Sequence, residues 1–264
     1  MQSLKNIDKG KNFDFGKTSE NYASYRDIYP EEFYRRIIDL GLCGKGQRVL
    51  DLGTGTGVLP RNMYKYGAKF VGADISENQI ETARRLSSGM DIQYITAAAE
   101  DVDFPDASFD TVTACQCFMY FNKDTVLPKI HRLLRDGGHF CIMFMGYLPL
   151  ESEIARKSEE LILKYNPVWN GANYAPDKSK TENRITPDWC KGMFETEKYT
   201  AFGVNVSFTR ESWNGRMKTC RGVGASLDDK DIDAWEREHM AFLNTMPERF
   251  NIPHWVTMLN LKKI

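Results

Sequence analysis

Val49-Leu50-Asp51-Leu52-Gly53-Thr54-Gly55-Thr56-Gly57 is an apolar run carrying an aspartate, followed by three glycines on alternate positions. Val58-Leu59-Pro60-Arg61-Asn62-Met63-Tyr64 then reads as a first helix. A strand feeding a glycine-rich turn and a helix predicts a nucleotide-cofactor site. Backbone N–H groups at a helix start favour polar or anionic groups, and glycine lets the chain turn tightly with no Cβ in a ligand's way. The spacing separates two possibilities. Dinucleotide binders use G-x-G-x-x-G, whereas here Val58 stands in the third-glycine slot. Asp51, two positions before the first glycine, is not part of that fingerprint either.

Outward from this stretch the chain alternates. Strands are expected at about 47–52, Lys69–Asp74, Ile92–Ile95, Phe109–Cys115 and His139–Phe144. Helices are expected at Glu77–Leu86, with Ser76 as N-cap, and at Thr125–Leu134, stopped by Asp136-Gly137-Gly138. This alternation predicts a parallel, doubly wound α/β sheet. Ahead of it, residues 1–16 are polar, 17–28 have helix character, and Pro30 opens a helix from Glu31 to Leu40. Beyond residue 146 the pattern weakens. Helices are expected at Glu151–Lys164, Arg210–Cys220 and Asp228–Met246, a loop over 166–187, and strands at Tyr199–Phe208 and Trp255–Leu261.

Composition narrows the function classes. The chain has 264 residues, 42% hydrophobic and 27% charged, which suits a globular enzyme. A formal net charge of −1 provides no broad basic field for nucleic acid or an anionic membrane. The six cysteines form no C-x-x-C pair, so no structural metal site is expected. The first nine residues contain no apolar signal core, no apolar run approaches spanning length, and a cytoplasmic protein with reduced thiols is expected.

The D-x-G-x-G-x-G stretch resembles that of the S-adenosylmethionine (SAM) dependent methyltransferases of the Rossmann-like class, and the resemblance spans about residues 20–145. It implies a seven-stranded, mostly parallel sheet with a reversed edge hairpin. An N-terminal helical lid and an insertion between strands five and six would accompany it. The corresponding segments are a lid over 1–46, a cofactor core over 47–145, a substrate-side insertion over 146–198, and closing strands and helices over 199–264. SAM would be the cofactor and S-adenosylhomocysteine its product. The loop residues Asp51, Gly53, Thr54, Gly55 and Gly57 would lie under the methionine part. Asp74, which is 17 residues after Gly57, would accept the ribose hydroxyls, with Ile75 and Gln79 beside it. The segment 96–110 is similar to one in menaquinone-biosynthesis-type methyltransferases, and puts the N–H of Ala99 at the adenine. That family often carries Asp where this chain has Ala98, so the adenine amino group falls to Glu100, to Asp101 or to a backbone carbonyl. Cys115 and Gln116, at the end of strand four, would border the sulfonium. Tyr22 and Arg26 would meet the methionine carboxylate from the lid, or else simply pack on the sheet and stay solvated.

The acceptor is less legible. Methyl transfer needs a base only when the acceptor arrives protonated. His131 and His139 read as structural or exposed and His239 as part of a solvated helix face, which leaves His254 as the catalytic candidate. Cys115 and Cys117 read as small apolar packing. Trp213 with Arg210, Arg216 and Arg221 would form either a wall for a planar or anionic acceptor or an exposed helix with a buried tryptophan. Tyr147, Trp169, Tyr174 and Trp189 would line a pocket or pin the insertion. The expected activity is methyl transfer to a small molecule at O, N, S or C, by a monomer or homodimer with no nucleic-acid, membrane or metal partner. A protein or RNA methyltransferase and a non-catalytic SAM-binding protein are the alternatives.

Overall fold

The computed structural model describes residues 4, 7–172, 174–183 and 185–264. Parts of two expected segments, residues 1–3, 5 and 6 of the N-terminal stretch and Asn173 and Arg184 of the 166–187 loop, lie outside these. The elements are α1 (Ser19–Tyr25), α2 (Glu31–Asp39), β1 (Arg48–Leu52), α3 (Val58–Met63), β2 (Lys69–Asp74), α4 (Glu77–Leu86), β3 (Ile92–Thr96), β4 (Phe109–Cys115), α5 (Lys123–Leu133) and β5 (Leu134–Tyr147). They continue with α6 (Glu153–Tyr165), β6 (Glu182–Asn183), β7 (Phe194–Thr209), α7 (Arg210–Lys218), α8 (Asp229–Leu243) and β8 (Arg249–Lys263). No helix among the described residues is long and apolar enough to cross a membrane.

The strands form one sheet in the order β3-β2-β1-β4-β5-β8-β7-β6. β1 to β5 pair in parallel, as the alternation predicts. β8 is reversed. Its end meets the start of both neighbours: Ile264 N donates to Met193 O at 3.1 Å and Lys263 Nζ to Leu134 O at 2.8 Å. Its beginning meets their ends, with Leu148 N donating to Pro253 O at 2.9 Å and the Trp255 ring beside Gly203. The seven expected strands are therefore joined by a two-residue eighth, β6, antiparallel to β7. It comes from the stretch read as a loop.

The chain divides into two compact units. The sheet unit comprises 29–145, 178–202 and 256–264, and the helical unit 1–28, 146–177 and 203–255. The sheet unit's core runs through Leu50, Leu52, Val71, Phe109, Val112 and Phe140. β1 and β4 are buried along almost their whole length, as strands covered on both faces must be. Local signals set the helix starts: Ser76 Oγ accepts from Gln79 N at 3.4 Å, and Asn122 Oδ1 from Asp124 N at 3.1 Å. In the helical unit α7 packs on α1 and α8, and α6 on α8, around Trp213, Trp235, Ile162 and Met217. A capping box of Thr209 and Ser212 opens α7.

Candidate functional site

After Leu52 the chain turns through Gly53, Gly55 and Gly57, with φ of 64°, 56° and 74°. Two of these positions exclude a side chain sterically as well. A Cβ on Gly53 would lie 2.7 Å from Cys117 Cβ and Sγ, and one on Gly57 would run into the Tyr94 ring and hydroxyl. The turn is held by Thr54 N donating to Ala73 O at 3.0 Å, Gly55 N to Asp74 Oδ2 at 2.9 Å, and Gly57 N to Thr54 O at 2.9 Å. The helix that follows, α3, has only six residues. Its dipole is correspondingly short, so the polar character of the loop rests on its own backbone and on the two acids behind it.

Those acids differ. Asp74, half-buried at the end of β2, accepts Gly55 N through Oδ2 and Ser76 N through Oδ1, the latter at 3.0 Å. It thus ties the glycine loop to the start of α4. Ile75 N also bonds this carboxylate, and three donors leave one of its four lone-pair sites for a further one. Burial raises its pKa, and the backbone N–H groups oppose the rise. Asp51 lies at 2% exposure and accepts from Thr113 Oγ1 at 2.6 Å, which bridges β1 to β4. Burial pushes its pKa up to about 6, and the Asp74 charge adds to the rise, while the Thr113 and Thr54 hydroxyls pull the other way.

The raised pKa of Asp51 makes stability depend on pH. A carboxyl whose folded pKa is raised holds its proton longer in the native state than in the unfolded chain. Its contribution is complete below about pH 4 and is lost as pH climbs through about 6. The loss is roughly 1.4 kcal/mol for each pH unit that separates the folded from the unfolded pKa. Asp51→Asn keeps the shape and an acceptor for Thr113. It is expected to melt higher than the wild type at pH 8, by an equivalent of about 1–3 kcal/mol. The difference should vanish near pH 4, and parallel melting curves across pH 4–8 would contradict the assignment.

The remaining expected donor-site residues in the sheet unit fall into three groups. Ile75 directly follows Asp74 and is 55% exposed, an apolar side chain offered to solvent beside a carboxylate. Gln79 and Ala99 are buried, at 2% and 7%. Glu100 Oε1 accepts from Asn122 N at 2.7 Å, which ties the 96–110 segment to the start of α5, whereas Asp101 is exposed. At the tip of β4, Cys115 Sγ lies 3.5 Å from Tyr29 Oη, and burial pushes its thiol up to about 12. Burial likewise holds the Cys117 thiol well above its usual range, and its Sγ donates to Leu52 O at 3.0 Å. Neither thiol is a thiolate near neutral pH, in keeping with packing rather than nucleophilic roles. Gln116 between them has φ of 66°, and its Nε2 donates to Met145 O. A non-glycine residue held left-handed at a strand end is a strained position fixed by its surroundings.

The other candidates belong to the helical unit. Arg26 Nε donates to Thr219 Oγ1 at 2.8 Å, and its guanidinium stands 4.9 Å over the Tyr22 ring. His254 is 1% exposed, with Nδ1 2.9 Å from Ile252 O, and burial pushes its pKa down to about 4. His239 corrects the expectation of a solvated face. It is fully buried, stacked 4.6 Å from Trp235, with Nε2 2.9 Å from Ser158 Oγ and Nδ1 2.8 Å from Asn214 Oδ1. The arginine and tryptophan wall does not form as one surface either. Trp213 is fully buried and donates from Nε1 to Ser158 Oγ at 2.9 Å. Arg210 Nε donates to Met246 O at 2.9 Å, and Arg221 Nε to Asp8 Oδ2 at 2.6 Å. Of the aromatics in the insertion, Tyr147 Oη and Trp169 Nε1 both donate to the buried Glu159. Trp189, in the sheet unit, packs 5.2 Å from Phe118. The sequence carries no signal for Glu159 or for the burial of Arg216, because charged residues are exposed by default.

Residues 50–142 match the family model described as "Methyltransferase domain". A protein of Dictyostelium discoideum named as a methyltransferase is 32% identical over 136 residues, which are 52% of this chain and 50% of that one. The demethylmenaquinone methyltransferase of Thermus thermophilus is 35% identical over 114 residues, 41% of this chain and 52% of its own length. The chain thus spans about half the length of the curated relatives it matches. Among solved structures, a type II methyltransferase from Anaeromyxobacter dehalogenans aligns with a TM-score of 0.58 at 19% identity, over 88% of this chain and 96% of that one. At that identity the likeness concerns the fold. The matched window contains the glycine loop after Asp51, Asp74 with Ile75, the 96–110 segment, and Cys115 with Gln116.

Proposed function

From the methyltransferase domain that residues 50–142 carry, we propose that this chain transfers a methyl group from SAM to a small-molecule acceptor. The observation that supports this most is the joint geometry of the loop and Asp74. A positive-φ glycine turn packed tightly on Cys117 and Tyr94 stands beside a half-buried carboxylate with acceptor capacity and an exposed apolar Ile75. These residues suit a ligand that combines a diol, a flat apolar ring and a polar tail. Bound there, SAM supplies a methyl group on a sulfonium that is already a good leaving group. The chain's own part is to position and to exclude water. Asp74 accepts hydroxyl donors while holding the loop, Ile75 covers a ring face, and the Ala99 N–H and Glu100 stand at the adenine end. Asp51 sets a negative charge behind the loop when ionised, which favours a cationic donor over its neutral product. The Cys115 and Cys117 thiols stay protonated and take no covalent part. The small-molecule class draws on the net charge of −1 and on the Thermus thermophilus relative, which is named for demethylmenaquinone.

Calorimetric titration of the protein with S-adenosylhomocysteine is expected to give a dissociation constant of about 1–50 µM, with no heat from NADH. Binding of NADH without S-adenosylhomocysteine would overturn the proposal.

A further inference from the structure

Among the buried polar atoms of the helical unit that find no hydrogen-bond partner in the described residues are Arg216 Nε and His254 Nε2. Their residues are 5% and 1% exposed. They flank one ring: the Arg216 guanidinium lies 5.2 Å over Tyr147, and the His254 imidazole stands 6.2 Å from it at 76°. Natural interiors leave few such atoms unpaired, and an orphan donor and an orphan acceptor against the same ring call for an occupant.

The two atoms offer opposite chemistry. Arg216 can only donate. Its Nη1 donates to Cys220 Sγ at 3.1 Å, a poor acceptor for a guanidinium, and it has no carboxylate at ion-pair distance among the described residues. Glu159, whose charge it feels, already serves Tyr147 and Trp169. His254 Nδ1 faces a backbone carbonyl, which only accepts, so Nδ1 carries the proton. Burial and the charges of Arg216 and Arg26 keep the ring neutral, so Nε2 presents a lone pair. The walls are aromatic: Trp213 lies 5.3 Å from Tyr147, and Phe208 stacks 6.0 Å from His254. Tyr22 and Arg26 add a half-buried rim.

We propose that the helical unit binds a small hydroxy acid, its carboxylate received by Arg216 and its hydroxyl donated to His254 Nε2. A carboxylate answers the guanidinium through charge-assisted bonds. A hydroxyl answers a neutral imidazole nitrogen, and the surrounding aromatic rings favour an aromatic acid. No residue of the sheet unit takes part, and the hydroxy acid would bind whether or not SAM is the methyl donor.

The test is tryptophan-fluorescence titration of the full chain with the three hydroxybenzoate isomers, benzoate and the matching hydroxybenzamides. One hydroxybenzoate is expected to saturate, with benzoate and the matching amide at least about tenfold weaker. His254→Phe should bring that hydroxybenzoate down to the affinity of benzoate and leave benzoate unchanged. Arg216→Met should level it with the amide. Should Arg216→Met fail to fold, the wild-type ligand series still decides. The proposal is overturned if no isomer saturates below about 10 mM or if benzoate and the amide bind as tightly. It is also overturned if S-adenosylhomocysteine displaces the probe, because the two atoms would then serve the methionine carboxylate. Titration of S-adenosylhomocysteine alone reports on the donor site separately.

Discussion

Gly57→Val is expected to abolish binding at the donor site, with S-adenosylhomocysteine affinity falling at least about a hundredfold and the melting temperature dropping by about 5–15 °C. Two costs add. Gly57 has φ of 74°, a region that costs an L-residue about 1–2 kcal/mol and a β-branched one more. The new Cβ also collides with Tyr94, adding about 1–3 kcal/mol of overpacking. Tyr94 cannot swing aside cheaply. It is 6% exposed, packs on Ile80 and Ala83, and shares a hydrogen bond of 2.9 Å with Ser87 Oγ. The loop must therefore shift, and its backbone N–H groups lose their aim. Gly89→Ala separates the two costs, since Gly89 has φ of 84° but open space where the Cβ would go. It should lower the melting temperature by a few degrees and leave binding unchanged. Wild-type affinity in Gly57→Val would remove the loop from the donor site.

Asp74→Ala is expected to weaken S-adenosylhomocysteine by about 10–100-fold while the sheet unit stays folded. Hydrogen bonds to a charged partner contribute about 1.5–3 kcal/mol each, and two ribose hydroxyls would share this carboxylate. The substitution also frees Gly55 N and Ser76 N, which Asp74 now holds at 2.9 and 3.0 Å. Asp74→Asn keeps an acceptor for one of these partners and should lose less, about 3–10-fold. Calorimetry with both variants, alongside circular dichroism for folding, checks the ordering. Equal affinity in Asp74→Ala and wild type would sink the ribose assignment.

The parts of the site that depend on local chain chemistry were legible. Alternating glycines after an apolar run predict the positive-φ turn, and an acid closing the second strand predicts Asp74 behind it. Boundaries were less so. Asp136-Gly137-Gly138 reads as a helix stop, yet β5 already includes these residues, because Leu134 pairs with Phe109 ahead of them. The last strand reads as Trp255–Leu261, whereas β8 begins at Arg249 and carries Pro253, whose carbonyl accepts from Leu148 N. The burial of His239 had a signal that charge obscured. Trp235, His239 and Leu243 fall four residues apart on α8, a buried stripe inside a highly charged helix. Arg216 had none, since the Tyr147 ring over which its guanidinium lies is far from it in sequence.

The placement of β8 between β5 and β7 governs the order in which the molecule can be built. β6 and β7 leave the ribosome before the strand through which they join the sheet. Until residues 249–263 follow, β5 and β7 each present an unpaired strand edge, the geometry from which strands recruit wrong partners. Synthesis that stalls between α7 and β8 would therefore leave a parallel half-sheet folded and a sticky remainder waiting. Chaperone dependence should concentrate in that interval, and truncations within it should aggregate, whereas substitutions around the glycine loop leave solubility during synthesis unchanged.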